Sequence, residues 1–444
     1  MVDRTILVRA AALYVPIMVT AVLCLRQPPN RRQVAGMLLG FSWNLSALLW
    51  LQSINLRAHF WIYHASGGLI FGMPVDLYLG WALAWSALPC LAFRRQRLWI
   101  VVAAMFALDL LAMPMCAPVV ELTRRWLMGE VAALALVLVP AQLFVRWTSE
   151  DSHLYGRATM HVLSSGSLLL FVLPESISSV LQQEGWQALF SYSPAVRSLL
   201  VQGAILLAIP GVAAVQEFAM RGGGTPVPFD PPKRLVTSGL YAYLGSPMQL
   251  SCVMLLTYWG IVNQSFWMAM AGAMGMIYGL GLARWSEDDE MPARFGVPWS
   301  AYRTNVRALW PRMRPWRDET LPKARIYIAE NCGPCSELRR WFERRSPIGL
   351  EILAAEDHPK RSLRRITYDP QDGSPEEEGL AALARGLEHL HFGWALMAAG
   401  IRLPIIRPFL QLLCDASGFG PQSIASRTVC AARHIAEEVQ RVSS

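Results

Sequence analysis

The sequence predicts a mainly α-helical protein that crosses a membrane several times. Of its 444 residues, 54% are hydrophobic and only 16% are charged, whereas soluble domains carry about 25% charged residues. Long apolar runs reach the roughly 20 residues that an α-helix needs to cross a bilayer. This composition excludes an ordinary soluble enzyme, and its apolar content is too high for a disordered chain.

Nine apolar segments are candidate membrane spans, and the last two are joined only by Asn263 and Gln264, which predicts a tight helical hairpin. The first segment follows Arg4 and Arg9, and no small-residue cleavage site precedes Arg26. It is therefore predicted to be a membrane helix and not a cleaved signal peptide. In chain order, the predicted spans are residues 8–25, 34–51, 69–92, 98–119, 127–146, 158–180, 198–219, 247–262 and 264–283.

Arginine and lysine are divided unevenly between the predicted loops, and arginine supplies nearly all of the net charge of +8. The loops at 26–33, 93–97, 146–157 and 220–246 hold eleven of these residues, whereas the alternate loops hold four, or six with the N-terminal pair. Cytoplasmic loops carry the excess of positive residues, so the first set is predicted to face the cytoplasm. An odd number of spans then places the N-terminus outside and the chain after Arg284 in the cytoplasm. The predicted location is the cytoplasmic membrane, and no nucleic-acid partner is predicted.

Composition also predicts the division of the chain into domains. Residues 1–197 are predicted to form an N-terminal transmembrane region, and residues 198–313 a second membrane domain. A charged linker broken by proline, at 314–323, precedes a soluble domain at 324–416. A C-terminal tail at 417–444 completes the chain.

Residues 221–312 carry the most informative pattern. A loop rich in glycine and proline at 222–232 precedes the predicted hairpin of spans, and an acidic stretch at 284–290 follows it. The residues that define the pattern are Tyr241, Tyr243, Pro247 and Met248 before the hairpin, and Glu287, Asp288, Met291, Phe295, Gly296, Trp299 and Tyr302 after it.

This pattern resembles the integral-membrane methyltransferases related to isoprenylcysteine carboxyl methyltransferase and phospholipid N-methyltransferase. The resemblance implies S-adenosylmethionine as cofactor and a membrane lipid or isoprenoid-like molecule as methyl acceptor. The family's Arg-(His/Asn) before the proline is replaced here by Gly245 and Ser246, and its following Tyr by Gln249. The resemblance assigns cofactor binding to Tyr241, Tyr243, Pro247, Met248, Glu287, Asp288 and Tyr302, with Glu287 also catalytic. The alternative is that the acidic stretch is only a solvated helix end.

Cys332 and Cys335 are the only closely spaced pair among eight cysteines. Apolar segments at 324–329 and 350–354 are predicted strands, and residues 336–345 a predicted helix. A strand, a CxxC turn and a helix together favour a thioredoxin-like α/β domain. Cys332 would lie near a helix N-terminus, where the thiolate is favoured, and would attack, while Cys335 would resolve the mixed disulfide.

A zinc site and an inert cysteine pair are the alternatives. A structural zinc site needs four ligands, and the nearby candidates show no second paired spacing. These candidates are His358, His389, His391 and Cys414, of which His389 and His391 are predicted to lie on a helix surface.

Residues 324–416 also resemble the DCC family of thiol–disulfide oxidoreductases, which implies a thiol or disulfide redox partner protein. The similar residues include the CxxC pair, Trp394, the segment 402–408 and Asp415. The family's Tyr-Asp-Gly motif before the first cysteine is absent here, so its aspartate is lost or replaced by Glu330.

Four acidic residues, Asp76, Asp109, Glu130 and Glu175, lie within or beside predicted spans. Ionisable residues at membrane depth are costly and are candidates for function. The segments 72–81 and 107–114 faintly resemble membrane proteins of carotenoid cyclisation and hydration. Hydrogen bonding between helices is the alternative explanation of these acids.

Three functions remain open from the sequence. The first is a membrane methyltransferase fused to a cytosolic thiol–disulfide oxidoreductase domain. The second is a membrane-anchored oxidoreductase whose methyltransferase-like scaffold is degenerate. The third is a protein that modifies carotenoids or isoprenoids through the intramembrane acids.

Overall fold

The protein is mainly helical and has three small β-sheets in its computed structural model. The structure describes residues 4–183, 185–226, 230–330, 332–422 and 424. Part of the glycine- and proline-rich loop and most of the predicted tail, including Cys430, therefore lie outside the described residues.

Seven helices within the described residues are long and apolar enough to cross a membrane. They are Arg4–Arg26, Arg31–Ala58, Val75–Ala92, Leu98–Cys116, Trp126–Ser149, Leu154–Leu181 and Pro194–Gly222. The helices Phe392–Ile401 and Ile406–Phe419, bent by 92° against each other, provide an eighth candidate if they are counted as one span. The prediction of a mainly helical protein with several membrane spans is confirmed as far as helix length and composition show it.

The last two predicted spans correspond to two shorter apolar helices, Pro247–Val262 and Phe266–Gly281. Neither reaches the length that an untilted helix needs to cross a bilayer. The structure thus has seven or eight candidate spans by length and composition, whereas the sequence predicts nine. The other helical segments are Gln187–Ser191, Gly239–Ala242, Arg284–Phe295, Val297–Asn305, Gly333–Glu343, Ala355–Asp357 and Leu380–Leu387.

The chain divides into two compact units, each assembled from separate stretches of sequence. The first unit comprises Met1–Ala204, Phe218–Arg234 and Met254–Ala273, and the second comprises Ile205–Glu217, Leu235–Val253 and Met274–Ser444. The first unit therefore takes residues from either side of position 198, where the sequence predicts a domain boundary, whereas the second unit lies wholly after it.

Tightly packed helices form the core of the first unit. The helix Arg31–Ala58 begins at a capping box, in which Asn30 and Gln33 each accept a backbone N–H from the other. Reciprocal capping of this kind satisfies two of the unpaired donors at a helix start. Gly36 permits the close approach of a second helix, because a Cβ atom there would lie 2.9 Å from the carbonyl oxygen of Val145.

Short strands close one end of this helical core. Strand β1 (Trp61–Tyr63) pairs antiparallel with β4 (Val120–Leu122), and β2 (Leu69–Ile70) pairs with β3 (Met73–Pro74). Trp61 of β1 is buried in the core.

The arginine-rich loops of the first unit meet through ion pairs. Asp151 Oδ1 lies 2.9 Å from Arg32 Nη1, and Asp151 Oδ2 lies 2.6 Å from Lys233 Nζ. Arg157 is 1% exposed and bridges Asp151, at 2.9 Å, and Asp230, at 2.8 Å. Three of the loops that the charge distribution assigns to one side of the membrane are therefore joined to one another.

The loop at 93–97 belongs to the same group. Arg94 donates a hydrogen bond to the carbonyl oxygen of Gln27 at 2.6 Å, and Arg146 donates one to the carbonyl oxygen of Gln96 at 2.8 Å. All four arginine-rich loops consequently lie at the same end of the helices of this unit.

A four-stranded sheet lies within the second unit. Its strands are β5 (Ala324–Ile328), β6 (Leu350–Ala354), β7 (Thr367–Asp369) and β8 (Glu377–Glu378). Their order in the sheet is β6-β5-β7-β8, in which β5 and β6 are parallel and β7 is antiparallel to β5 and to β8. Helix Gly333–Glu343 connects β5 with β6, and its Phe342 packs against Ile326 and Leu387 in a buried core.

The two predicted strands around the cysteines are present, and β6 has the predicted bounds. The helix after β5 begins at Gly333, three residues earlier than predicted. Ser336 donates its backbone N–H to the carbonyl oxygen of Cys332 at 2.8 Å, so the first helical turn includes the whole CxxC turn.

Candidate functional site

The two cysteines lie at the N-terminus of the helix Gly333–Glu343. Cys332 is the N-cap residue, with extended backbone angles of φ −116° and ψ 121°, and Cys335 lies in the first turn. Pro334 occupies the second helical position, where the lack of an N–H leaves no helical hydrogen bond unmade. Unpaired N–H groups at a helix start favour negative charge nearby, so this position suits a thiolate.

The two thiols differ in their surroundings. Both side chains are partly exposed, but Cys335 also packs against the core of the sheet. Burial raises the pKa of the Cys335 thiol to about 12, and its hydrogen bond with Cys332 acts in the same direction. Cys335 therefore remains a thiol at neutral pH and can donate its hydrogen to the sulfur of Cys332.

Glu356 is an acidic residue of this site that the sequence motifs do not indicate. Its side chain is buried and its carboxylate accepts the backbone N–H of Glu330, at 3.1 and 3.2 Å to its two oxygens. The negative charge of Glu356 also raises the pKa of Cys335. Glu330 itself extends along the surface and pairs with Arg339 at 2.7 Å. The acid nearest the thiols thus comes from the segment after β6 and not from the position before the CxxC turn.

A cavity of about 750 Å³ opens beside the two cysteines. Its walls are mainly apolar, with side chains such as Leu338 and Leu383, and its polar lining includes Arg364 and Glu356. A third thiol, that of Cys414, also lines it. Small-molecule sites in proteins have volumes of roughly 300–1,000 Å³, so there is room for an incoming disulfide.

The histidines near this site have hydrogen-bonding roles. His389 lies between Ile348, whose carbonyl oxygen is 2.7 Å from Nδ1, and the Tyr368 hydroxyl, 3.0 Å from Nε2. Burial lowers the pKa of His389 to about 4, so it is neutral and lies inside the domain rather than on a helix surface. His391 accepts the backbone N–H of Gly393 as an N-cap. In the part of the chain that the structure describes, no three His, Cys, Asp or Glu side chains are grouped to hold a metal ion.

The structure brings together three of the residues that the methyltransferase resemblance assigns. The Tyr302 hydroxyl donates to the carbonyl oxygen of Tyr241 at 2.8 Å. Burial raises the pKa of both tyrosines, and the charge of the nearby Glu287 acts in the same direction. Tyr243 lies elsewhere, because its hydroxyl donates to the carbonyl oxygen of Glu388 at 2.8 Å and its ring packs against Phe392.

The two carboxylates after the hairpin have different environments. Burial raises the pKa of Glu287, although Arg303 partly opposes this effect. Glu287 forms no ion pair with any described residue. Asp288 is more exposed and pairs with Arg303 at 3.1 Å and Arg284 at 3.6 Å. Glu287 is therefore the carboxylate that remains available to a cationic ligand.

The positions that depart from the family pattern are closely packed. Gly245 donates its N–H to the carbonyl oxygen of Arg307 at 2.8 Å, and a Cβ atom on Gly245 would lie 3.2 Å from Ala308 Cα. A larger side chain would crowd this backbone contact. Pro247 is buried at the start of the helix Pro247–Val262, and Met248 follows it with partial exposure.

Known proteins supply no family for this chain. A scan against protein-family models, a search of curated proteins and a search of solved structures each found no match. The residues and their geometry therefore carry the functional assignment.

The acidic residues at membrane depth fall into distinct environments. Asp76 pairs with Arg9 at 2.6 Å, and Glu175 is partly exposed. Asp109 and Glu130 lie beside each other, and no cation among the described residues pairs with either. A further acid, Glu217, is 2% exposed within the helix Pro194–Gly222. The sequence analysis missed Glu217, although its place near the end of the apolar run 198–219 could have indicated it.

Proposed function

We propose that this chain is a multi-pass membrane thiol–disulfide oxidoreductase, with Cys332 and Cys335 as its redox pair. The observation that carries the proposal is the position of Cys332 at a helix N-cap, with Cys335 one turn inside and a cavity open beside both. Redox-active cysteines occur in partly exposed sites that favour the thiolate, whereas buried structural cysteines are inert.

We further propose that residues 324–416 form a thioredoxin-like domain. The sheet order supports this, since the first two strands are parallel neighbours, the third strand is antiparallel to the first, and the fourth pairs with the third. The CxxC turn lies between the first strand and the helix that crosses to the second. This is the point in a βαβ unit where a helix N-terminus meets the end of a strand.

The proposed reaction is the reduction of a disulfide in a partner protein. The Cys332 thiolate attacks one sulfur of that disulfide, forms a mixed disulfide and releases the other partner sulfur as a thiolate. Cys335 then loses its proton and attacks Cys332, which releases the second partner thiolate and leaves a Cys332–Cys335 disulfide. Two electrons pass from the CxxC pair to the partner, and the partner thiolates take up protons.

We assign Glu356 as the positioned base for the second step. Cys335 must lose a proton before it attacks, and burial disfavours its thiolate. Glu356 is the buried carboxylate that lines the cavity with both cysteines. It is suited to receive the Cys335 proton directly or through one water molecule.

The test is redox equilibration of the purified full chain in dithiothreitol buffers of varied oxidation state, followed by alkylation and mass spectrometry. We expect a reversible Cys332–Cys335 disulfide that neither Cys332→Ser nor Cys335→Ser can form. Cys414→Ser is the matched control and should keep the transition. A pair that stays reduced under every condition would contradict the proposal.

A second proposed function is methyl transfer from S-adenosylmethionine to a membrane lipid or isoprenoid-like acceptor, and the position of Glu287 favours it. A carboxylate without an ion pair among the described residues, near enough to Tyr241 and Tyr302 for its charge to act on their hydroxyls, fits a cationic sulfonium group. When bound, this cofactor would supply an activated methyl group. Glu287 would hold the positive charge, while the two tyrosines would limit access of water from one side.

This activity is tested by incubating the protein with S-adenosylmethionine and with lipids extracted from the membranes that contain it, followed by mass spectrometry of the lipids. A methylated lipid that forms with the wild type and not with Glu287→Gln supports the proposal. If no lipid gains a methyl group and calorimetry detects no cofactor binding, the scaffold is degenerate and only the redox function remains.

We also propose that the protein lies in the cytoplasmic membrane with the CxxC domain in the cytoplasm. The grouping of four arginine-rich loops at one end of the first unit supports this orientation under the positive-inside rule. A membrane-impermeant maleimide should label Cys332 only after the cells are permeabilised. Labelling in intact cells would contradict the orientation.

A further inference from the structure

Two acidic side chains in the first unit lie next to each other at membrane depth. Asp109 belongs to the helix Leu98–Cys116 and Glu130 to the helix Trp126–Ser149. Their carboxyl groups are within hydrogen-bonding reach of each other. Glu130 is 0% exposed, so its carboxyl group has no contact with solvent.

Three of the four oxygens of these carboxyl groups have no hydrogen-bond donor within the described residues. Both oxygens of Glu130 and Oδ2 of Asp109 are buried without a hydrogen-bond partner. This differs from Asp76, which accepts two hydrogen bonds from Arg9 at 2.6 and 3.0 Å. It also differs from Glu217, which pairs with two arginines.

The groups that face the pair carry no positive charge. Tyr63 of β1 lies near Glu130, and Cys116 lies near Asp109 at the end of the same helical segment. On the helix Val75–Ala92, Trp85 is close enough to hydrogen-bond with Asp109. Within the described residues, no Arg, Lys or His forms an ion pair with either acid. The surroundings are therefore aromatic and largely apolar.

Aromatic side chains pack closely against the helix beside this site. Gly129 precedes Glu130, and a Cβ atom at Gly129 would lie 2.6 Å from Phe60 Cβ and 2.9 Å from the Trp61 ring. The absence of a side chain at Gly129 thus allows Phe60 and Trp61 to approach the helix next to Glu130. A π-helical turn at Leu134–Leu138 follows one turn later, and such turns occur frequently at functional sites.

Two neighbouring carboxylates repel each other strongly where the dielectric constant is low. Double ionisation of such a pair is strongly disfavoured at neutral pH without a compensating cation, and sharing one proton relieves the repulsion. The proton also turns two acceptors into a donor and an acceptor. The same contact that is unfavourable between two anions then becomes a charge-assisted hydrogen bond.

We propose that Asp109 and Glu130 form an intramembrane proton-binding site that holds one shared proton. The ligand is the proton itself, held between a carboxylic acid and a carboxylate. Release leaves two carboxylates and one hydrated proton, and uptake restores the hydrogen bond. This site does not depend on the proposed thiol or methyltransferase functions.

The test uses dicyclohexylcarbodiimide, an apolar reagent that reacts with protonated carboxyl groups in apolar surroundings and forms a stable acylurea. Full-length protein in lipid vesicles is treated at a series of pH values, and modified peptides are identified by mass spectrometry. We expect modification of Asp109 or Glu130 at neutral pH that declines as the pH is raised. Asp76, paired with Arg9, should remain unmodified.

Two variants sharpen this test. In Asp109→Asn the new amide can donate to Glu130, and in Glu130→Gln the new amide can donate to Asp109, so the remaining acid needs no proton. Modification of the remaining acid should fall on the order of tenfold, which corresponds to a tenfold larger acid dissociation constant. Asp76→Asn is the matched control and should not change modification of the pair.

Infrared spectroscopy of the wild type gives a readout that needs no variant. A stretching band of a protonated carboxyl group should be present at neutral pH and disappear reversibly at high pH. Absence of both this band and carbodiimide modification at neutral pH would overturn the proposal. Unchanged modification of the remaining acid in both amide variants would also overturn it.

Discussion

Glu217 and Arg385 form a buried ion pair between the end of a long apolar helix and the helices that follow the sheet of the second unit. Glu217 Oε1 lies 2.8 Å from Arg385 Nη1, although the two residues are 168 positions apart in sequence. Arg402 approaches the other oxygen of Glu217 at 2.9 Å. Both arginines also pair with Glu388, at 3.0 and 2.7 Å. This network joins the apolar helix to the domain that carries the cysteines.

Replacement of Glu217 by Gln should destabilise the protein strongly. It would remove the carboxylate that pairs with both buried guanidinium groups and leave them only Glu388 and the more exposed Glu377. Breaking a buried ion pair typically costs about 3–5 kcal/mol. The free energy of unfolding of the full chain is measured in detergent, with circular dichroism to monitor the transition.

The matched control for Glu217 is Glu378→Gln, which removes an ion pair with Arg361 in which both partners are partly exposed. Exposed pairs contribute about 1 kcal/mol or less. If both variants unfold alike, the buried network does not hold the second unit together.

Replacement of Glu356 by Gln should lower the pKa of Cys335 from its value of about 12. Removal of a negative neighbour makes the thiolate less unfavourable, so alkylation of Cys335 at a fixed alkaline pH should become faster. The same variant should slow the release of a mixed disulfide, because the proton acceptor is lost.

Glu330→Gln is the control for Glu356, since Glu330 pairs with Arg339 at the surface. Glu330→Gln should change neither the alkylation rate of Cys335 nor the rate at which the mixed disulfide is released. Equal alkylation rates in the wild type and in Glu356→Gln would remove Glu356 from the site.

Replacement of Glu287 by Gln should weaken S-adenosylmethionine binding roughly 10- to 100-fold. A lost charge-assisted contact costs about 1.5–3 kcal/mol, and isothermal titration calorimetry measures the change. Asp288→Asn is the comparison, because Asp288 already pairs with Arg303. Equal affinity in the wild type and Glu287→Gln would exclude Glu287 from cofactor binding.

The burial of Glu287 also predicts that the stability of the protein depends on pH. Because burial raises the pKa of Glu287, its contribution to stability is present below the unfolded pKa and is lost as the pH rises through the folded pKa. Glu287→Gln should therefore be more stable than the wild type at neutral pH, with a difference that vanishes in acid. A lower stability of the variant at neutral pH would show that Glu287 is a structural partner instead.

Asp151 predicts the opposite pH dependence. The hydrogen bond with Arg32 holds the pKa of Asp151 well below its ordinary range, and the hydrogen bond with Lys233 has a smaller effect in the same direction. Its contribution to stability is present above the unfolded pKa, about 3.9, and is lost as the pH falls through the folded pKa. Asp151→Asn should cost about 1 kcal/mol at neutral pH, since Arg32 and Lys233 are at least partly exposed and the buried Arg157 keeps its ion pair with Asp230.

Thermal unfolding of Asp151→Asn and wild type at neutral and at strongly acidic pH measures this effect. The neighbouring Glu150 is exposed and forms no ion pair with any described residue, so Glu150→Gln should behave as the wild type. A cost that persists unchanged in strong acid would contradict the assignment to the Asp151 charge.

Local sequence patterns predicted those parts of the structure that local forces determine. The apolar runs predicted the long helices, because length and hydropathy alone decide whether a helix can cross a bilayer. The strand Leu350–Ala354 was predicted with its observed bounds, and the helix after Cys332 within three residues of its start. These elements need no knowledge of distant contacts.

The remaining features depend on residues that are far apart in sequence. Glu356 lies beside the thiols because β6 is parallel to β5, a pairing that no motif around Cys332 specifies. Tyr243 bonds to a carbonyl oxygen 145 residues away, so its motif position alone could not show its partner. Glu217 and Arg385 likewise meet only through the packing of the second unit.

Trapping of a mixed disulfide tests the central claim most directly. Full-length Cys335→Ser is isolated from cells that have been acidified to stop thiol–disulfide exchange. It should carry a partner protein, bound to Cys332 through a disulfide that dithiothreitol reduces. Cys332→Ser should carry none, because partial burial raises the pKa of the remaining Cys335 thiol to about 12. If both variants trap partners equally, or if neither does, Cys332 is not the attacking thiol and the oxidoreductase assignment fails.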